Sequence, residues 1–342
     1  MKIKVENKKF TGLGLAPLAP DIGRADIKQV PTRNGYGEAL VELGEKNPDV
    51  VVLTGDLSDS TRAAEFAKKF PERFFEVGVA EQNLMGIAAG LALSGKTPFV
   101  SSYATFSPGR NWDQLRVSVC YSRANVKIAG AHTGVSVGPD GATHQALEDI
   151  AITRVLPNLT VVVPCDSLQT KAAAIAACQI QGPVYFRFAR EATPVFTTPE
   201  TPFEIGKAQL LRDGGDVAVI GCGPVLYHAL LAAQELGKEG LSVLVLNNHT
   251  IKPMDEEAVV ACAEKCGAVV TLEEHQVSGG AGSAVCEALA KYFPVPVEMV
   301  GMQDTFGESG EPAELIEKYG MGKEAVISAI KKVLTRKKKG NS

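Results

Sequence analysis

The sequence predicts an α/β chain built on two doubly wound sheets, a larger one followed by a smaller one. Three observations lead there. Short continuous apolar runs, such as Val50-Val51-Val52-Leu53 and Val243-Leu244-Val245-Leu246, alternate with helix-like stretches. The runs lack the in–out alternation of a half-exposed sheet, so they read as strands buried on both faces. The alternation breaks once, at EATPVFTTPETPFE (191–204), whose three prolines and weak periodicity mark a unit boundary.

Taken in order, residues 1–29, with GLGLAPLAPDIG, form an extended arm. Thr32 is placed to cap a helix that carries Tyr36, Leu40 and Leu43 on one face and ends near Gly44. Strands are predicted at 50–53, 76–79, from Phe99, and at 126–129, 160–163 and 184–188. A helix rich in Ala, Gly and Leu runs from about Glu81 to near Gly95, and others centre near residues 116, 150 and 173. This first unit spans 30–193 and a linker spans 194–206. The second unit, 207–335, repeats the pattern with strands at 217–220, 243–246, 268–271 and 297–300. The basic tail, 336–342, reads as a frayed, solvated end.

Composition excludes several function classes. At ~150 residues per domain, 342 residues make about two domains. Lys+Arg is 35 and Asp+Glu is 39, a net charge of −4, which argues against a basic nucleic-acid binder. No apolar run approaches the ~18 residues of a membrane span, and no apolar stretch follows MKIKVENKKF as a signal peptide would require. Neither nucleic acid nor membrane is therefore expected as a partner. The seven cysteines are scattered and form no C-x-x-C, so they read as reduced thiols packed in a cytoplasmic protein.

Chemistry concentrates at predicted strand ends. Glu81, in FFEVGVAEQNLMGIAAGLALSG, joins a strand to a helix. It is either a buried acid or base or a helix cap. Gly86 and Gly90 on the same helix permit close approach of another backbone, from a subunit partner or from the chain's own core. His132, Asp140 and His144 share the loop AGAHTGVSVGPDGATHQALED, where histidines could move a proton or hold an oxyanion. The spacing H-x7-D-x3-H fits no common metal template. Arg33, Arg110 and Arg190 lie at element ends, placed either as surface charges or to grip phosphate or carboxylate. Tyr103 and Phe106 could stack on a flat heterocycle or fill a core. Ile220-Gly221-Cys222-Gly223-Pro224 is half a dinucleotide fingerprint and is explained by a tight turn.

The joint order of these motifs is more specific than any one of them. GDLSDS, VGVAEQNLMGIAAGLALSG, Y-x-x-F, H-x7-DGATHQ, LPNLTVVVPCD and FRFARE together resemble the pyrimidine-binding half of transketolase. TLEEHQVSGGAGSAVCEAL and DTFGESGEPAELIEKYG look like the C-terminal domain of that family. The resemblance covers residues 28–335 and implies a thiamine-diphosphate pyrimidine-binding domain followed by a smaller transketolase C-terminal-type domain.

It also implies roles, residue by residue. Glu81 would hydrogen-bond N1′ of the aminopyrimidine and favour its imino tautomer. Tyr103 and Phe106 would flank that ring, and Asp56 would border the thiazolium. His144 would face the reacting carbonyl, and Asp140 would read the C2 hydroxyl of the aldose. Arg33, Ser60, His132 and Arg190 would grip the sugar phosphate, with each charge-assisted contact worth roughly 1.5–3 kcal/mol. The activity implied is transfer of a two-carbon ketol unit from a ketose phosphate to an aldose phosphate, in the pentose phosphate pathway.

One departure matters. Full-length members carry GDG followed further on by Asn, which hold Mg²⁺ on the diphosphate. This chain has only Pro139-Asp140-Gly141, inside the substrate loop. The expectation is a C-terminal subunit that dimerises and works with a separate N-terminal subunit as a heterotetramer, sharing thiamine diphosphate and taking Mg²⁺ from the partner's ligands. Half of a deoxyxylulose-phosphate synthase and the β chain of a 2-oxo acid dehydrogenase E1 resemble it less. The synthase usually has Arg where His132 stands, and the E1 chain usually lacks the DG-x-THQ loop. A non-catalytic binding subunit would leave the joint presence of Glu81, His132, Asp140 and His144 unexplained.

Overall fold

The computed structural model describes residues 13–340, with side chains to 337; the first twelve residues of the expected arm and the last two of the tail lie outside the described residues. The apolar runs become strands β1 (Gln29–Pro31), β2 (Val50–Thr54), β3 (Phe74–Glu76), β4 (Thr97–Tyr103), β5 (Lys127–Ala131), β6 (Thr160–Val162), β7 (Val184–Phe188), β8 (Ala192–Pro194), β9 (Gln209–Arg212), β10 (Val217–Gly221), β11 (Val243–Asn247), β12 (Thr250–Lys252), β13 (Val269–Gln276) and β14 (Val297–Met302). The first sheet has the order β12-β6-β7-β5-β4-β2-β3 and the second β14-β13-β10-β11-β9. Within each, every pair is parallel except the last-added edge: β12 runs antiparallel to β6, and β9 antiparallel to β11. Every residue of β2, β4, β5 and β7 is buried, as continuous apolar runs require of strands covered by helices on both faces.

Several expectations shift. Thr32 does not cap the first helix, Thr32–Lys46; it is the first helical residue. Its hydroxyl donates to the Ala189 carbonyl at 3.0 Å and accepts from the Ala189 N–H at 2.8 Å, tying the helix to the chain beyond β7. The helix ends at Lys46, near Gly44 as expected, and Gly44 also serves packing: a Cβ there would lie 2.5–2.8 Å from the Phe70 and Phe66 rings. The strand predicted at 76–79 sits two residues earlier, and Gly78, at φ +74°, turns the chain toward Glu81. The tail is not frayed at its start: Lys323–Gly340 is one helix, and Lys337 Nζ donates to the carbonyls of Asp216 (3.0 Å) and Cys266 (2.6 Å).

The two units are more entangled than an arm, a linker and two bodies suggest. The described part of the arm lies along the second unit, with Ala16 N–H donating to the Leu210 carbonyl at 2.8 Å. The Pro-rich segment is not a solvated tether: Phe196 is fully buried against Tyr227, and β8 pairs with β1. β12 leaves the second unit to extend the first sheet. These short strands carry too few apolar residues to be legible as periodicity. All seven cysteines are free, five of them buried.

The topology sets the site. Because β2, β3, β4, β5 and β7 are parallel, their carboxyl ends lie along one edge. Asp56 follows β2, Glu81 follows β3, Tyr103 ends β4, His132 follows β5 and Arg190 follows β7.

The helix Thr32–Lys46 packs on Ser167–Gln179 through Gly35, where a Cβ would fall 1.9 Å from the Ser167 carbonyl oxygen. Gly35→Ala should therefore cost about 2 kcal/mol or more, because rigid backbone must move. Chemical denaturation measures this; an unchanged midpoint would contradict the packing.

Candidate active site

Four rings gather at the carboxyl edge. Tyr103 stacks on His132 with centroids 3.8 Å apart and 23° between planes, and on Phe106 at 5.9 Å and 24°. His144 meets both edge-on, at 5.9 Å from Tyr103 and 5.4 Å from Phe106. His132 holds a left-handed backbone, φ +56°, which non-glycine residues adopt sparingly. Its side chain is buried, and its Nδ1 has no hydrogen-bond partner among the described residues. Burial first, then the positive charges of Arg33 and Arg190 and the neighbouring His144, push its pKa down to about 3. His132 is thus a neutral imidazole at physiological pH. His144 is half-buried, with Nδ1 2.8 Å from the Thr143 hydroxyl.

Glu81 opens the helix Glu81–Leu93 and is 1% exposed. Ala80 is the N-cap residue, and the Glu81 carboxylate bonds Arg110 and no backbone N–H of the helix start. Oε2 accepts from Arg110 Nη1 at 2.7 Å, and the Arg110 guanidinium lies over Phe106, 4.8 Å from the ring centroid. Asn111 Nδ2 donates to the Glu81 carbonyl at 3.0 Å and to Ser107 Oγ at 3.1 Å, so the chain after β4 wraps the helix start. Oε1 is buried and unpartnered among the described residues. Arg110, an anion-binding candidate in the sequence, instead fixes Glu81; Asn111 was not legible as a site residue.

A second cluster is cationic. Arg33 Nη1 donates to the Ser60 carbonyl at 3.0 Å, and its Nε is buried without a partner among the described residues. Burial, then the charges of Arg62 and Arg190, lower the Arg33 pKa, which shows three guanidinium groups converging. Arg62, exposed and held by Asn34 Oδ1 at 3.0 Å, was missed; it stands two residues after Ser60, at the left-handed end, φ +67°, of a short helix. Arg190 Nη1 donates to the Val137 carbonyl at 3.0 Å and lies 3.5 Å from Asp140 Oδ1. Asp56 stands apart: it is exposed, its backbone N–H donates to Glu76 Oε1 at 2.6 Å, and its side chain has no recorded contact with the rings or the arginines.

Residues 28–195 match the transketolase pyrimidine-binding domain, and residues 206–326 match the transketolase C-terminal domain. The chain belongs to the transketolase family. It is the C-terminal half of that architecture, a pyrimidine-binding domain followed by a C-terminal domain. A transketolase C-terminal section of Methanocaldococcus jannaschii is 44% identical over 301 residues, covering 87% of this chain and 94% of that one. A 6-deoxy-6-sulfo-D-fructose transketolase subunit of a Clostridium species is 42% identical, covering 89% and 95%. A solved structure described as a split gene transketolase, inactive beta4 tetramer, superposes with a TM-score of 0.84 at 49% identity, covering 90% and 99%.

Transketolases depend on thiamine diphosphate, and the donor set here fits its pyrimidine end. Glu81 Oε1 is a buried acceptor in need of a donor, and Phe106, stacked on Tyr103, lies under the Arg110 guanidinium that holds the same carboxylate. Among the described residues no group of three His, Cys, Asp or Glu could hold a metal ion. No helix among them is long and apolar enough to cross a membrane.

His132 should not titrate between pH 5 and 8 in an NMR experiment on the ring protons. Because its folded pKa lies below the usual histidine value, the unfolded chain takes the proton first, so its contribution to stability falls as pH drops from about 6.5 toward 3. A titration midpoint near 6.5 would contradict the buried, cation-flanked placement.

Proposed function

We propose that this chain is the C-terminal subunit of a split transketolase, which transfers a two-carbon ketol unit from a ketose phosphate to an aldose phosphate. The observation that carries the reading is Glu81: a buried carboxylate with one oxygen held by Arg110, whose guanidinium lies over Phe106, and the other left unpaired among the described residues.

When bound, thiamine diphosphate supplies an electron sink for the two-carbon unit. The chain's own residues do the rest. Glu81 Oε1 is the acceptor that would take a hydrogen bond from N1′ of the pyrimidine, while Arg110 keeps that carboxylate oriented. Tyr103 and Phe106 would flank the ring; Asp56, exposed and apart from the rings, is set toward the thiazolium by the family resemblance alone. His144, with Nδ1 engaged by Thr143, offers Nε2 to exchange a proton at the substrate's carbonyl oxygen. Asp140, held beside Arg190, reads the C2 hydroxyl. Arg33 and Arg190, with neutral His132 and the Ser60 segment between them, grip the terminal anion. A phosphate suits this grip in the pentose phosphate pathway. The relative named for a sulfofructose shows that the family also includes a member named for a sulfonated sugar.

The diphosphate and Mg²⁺ would be held by a separate N-terminal subunit, as the split-gene neighbour suggests. Self-association into a dimer of this chain, and so a heterotetramer, is supported by the helix Glu81–Leu93. There Gly86, Ile87 and Gly90 are exposed, and a Cβ on either glycine would meet nothing within 4 Å, so neither glycine serves the chain's own core. The free cysteines suit the reducing cytoplasm.

With the partner chain, thiamine diphosphate and Mg²⁺, a coupled assay should show transfer from xylulose 5-phosphate to ribose 5-phosphate and none with pyruvate as donor. Glu81→Ala should lower kcat by about 10² or more. Undiminished turnover in that variant would refute the catalytic reading.

A further inference from the structure

The loop that carries Asp140 and His144 leaves β5 and returns toward the helix Asp149–Arg154. Within the first unit, Gly134 N–H donates to the Ala146 carbonyl at 2.9 Å, Arg190 donates to the Val137 carbonyl and lies 3.5 Å from Asp140, and Gln145 bonds back to the Val135 carbonyl. Two further anchors come from the second unit. Glu274, on β13, is buried, and its Oε1 accepts the Ser136 backbone N–H at 2.6 Å. Gly134, at φ +81°, makes the approach possible, because a Cβ there would lie 2.2 Å from the Glu274 carboxyl carbon. The Glu274 carbonyl accepts from both terminal nitrogens of Arg187 at 3.3 Å, and Arg187 is paired with Asp149 at 2.9 Å. Beyond β14, Gln145 Nε2 donates to the Glu308 carbonyl at 2.8 Å and to the Val135 carbonyl at 3.1 Å.

We propose that Glu274 is a positioning residue for the substrate loop: its carboxylate, brought from the second sheet to the Ser136 N–H, holds the backbone that presents Asp140 and His144. The assignment of those two residues to substrate rests on the function proposed above; the clamp itself does not. A backbone N–H to carboxylate bond in a dry interface is of the strong, charge-assisted kind. Losing it frees the loop while leaving Glu81, Tyr103 and Phe106 on their own elements. The second unit thereby acquires a part in the reaction beyond assembly, which the sequence reading did not give it.

Glu274→Ala and Glu274→Gln in the reconstituted complex test this. Amide exchange of the peptide spanning 133–145 should quicken by about tenfold in Glu274→Ala, the scale of one charge-assisted hydrogen bond, and stay near wild type in Glu274→Gln, whose amide oxygen can still accept. The KM for the aldose phosphate should rise about tenfold in Glu274→Ala with thiamine diphosphate affinity within twofold, and glutamine should restore it. Unchanged exchange in Glu274→Ala overturns the clamp. Faster exchange with unchanged KM overturns the positioning role. Parallel loss of cofactor affinity in both variants would mark general unfolding and overturn it too. A wild-type complex without transfer activity would instead refute the function proposed above, while the exchange result still decides the clamp.

Discussion

The site depends on one buried, half-satisfied carboxylate. Glu81 is removed from water with only one oxygen paired. Leaving a buried polar atom unsatisfied costs roughly 1–3 kcal/mol, more when charged. The surrounding chain is arranged to hold that cost. Arg110 supplies a charge-assisted bond, Asn111 braces the helix start, and β2, β3 and β4 fix the carboxyl edge from which all three emerge. The unmet oxygen is then a demand for a donor from outside the chain, on a carboxylate whose arginine lies over Phe106.

The same edge separates two kinds of work. The stacked rings form an aromatic surface next to the Glu81–Arg110 ion pair, and His132 joins it because burial and flanking arginines keep it uncharged. Arg33, Arg62 and Arg190 form a cationic wall a short way along. On the proposed function, a sugar with an anionic terminus would span the two, its charge held at one end and its carbonyl brought to the other. That division lets remote binding energy orient a flexible substrate.

Much of this was legible in the sequence, for a physical reason. Parallel strands buried on both faces must be continuous apolar runs, so the doubly wound sheets and the strand ends carrying Asp56, Glu81, Tyr103, His132 and Arg190 could be placed in order. What stayed hidden is long-range. β12 crossing to the first sheet, Phe196 buried inside the proline-rich segment, and Glu274 reaching Ser136 across 138 positions leave no local periodicity. Arg62 carries no signal of its own in the sequence, and only the fold lets its charge act on Arg33. Thr32 and Gly44 had the right composition for helix ends, and each also serves tertiary packing.

The most direct test of the account is a crystal structure of this chain with its N-terminal partner and thiamine diphosphate. The account predicts Glu81 Oε1 at hydrogen-bond distance, about 2.8 Å, from the pyrimidine ring nitrogen, with Arg110 still on Oε2. A pyrimidine bound elsewhere, or Glu81 turned away from it toward water, would contradict the account at its root.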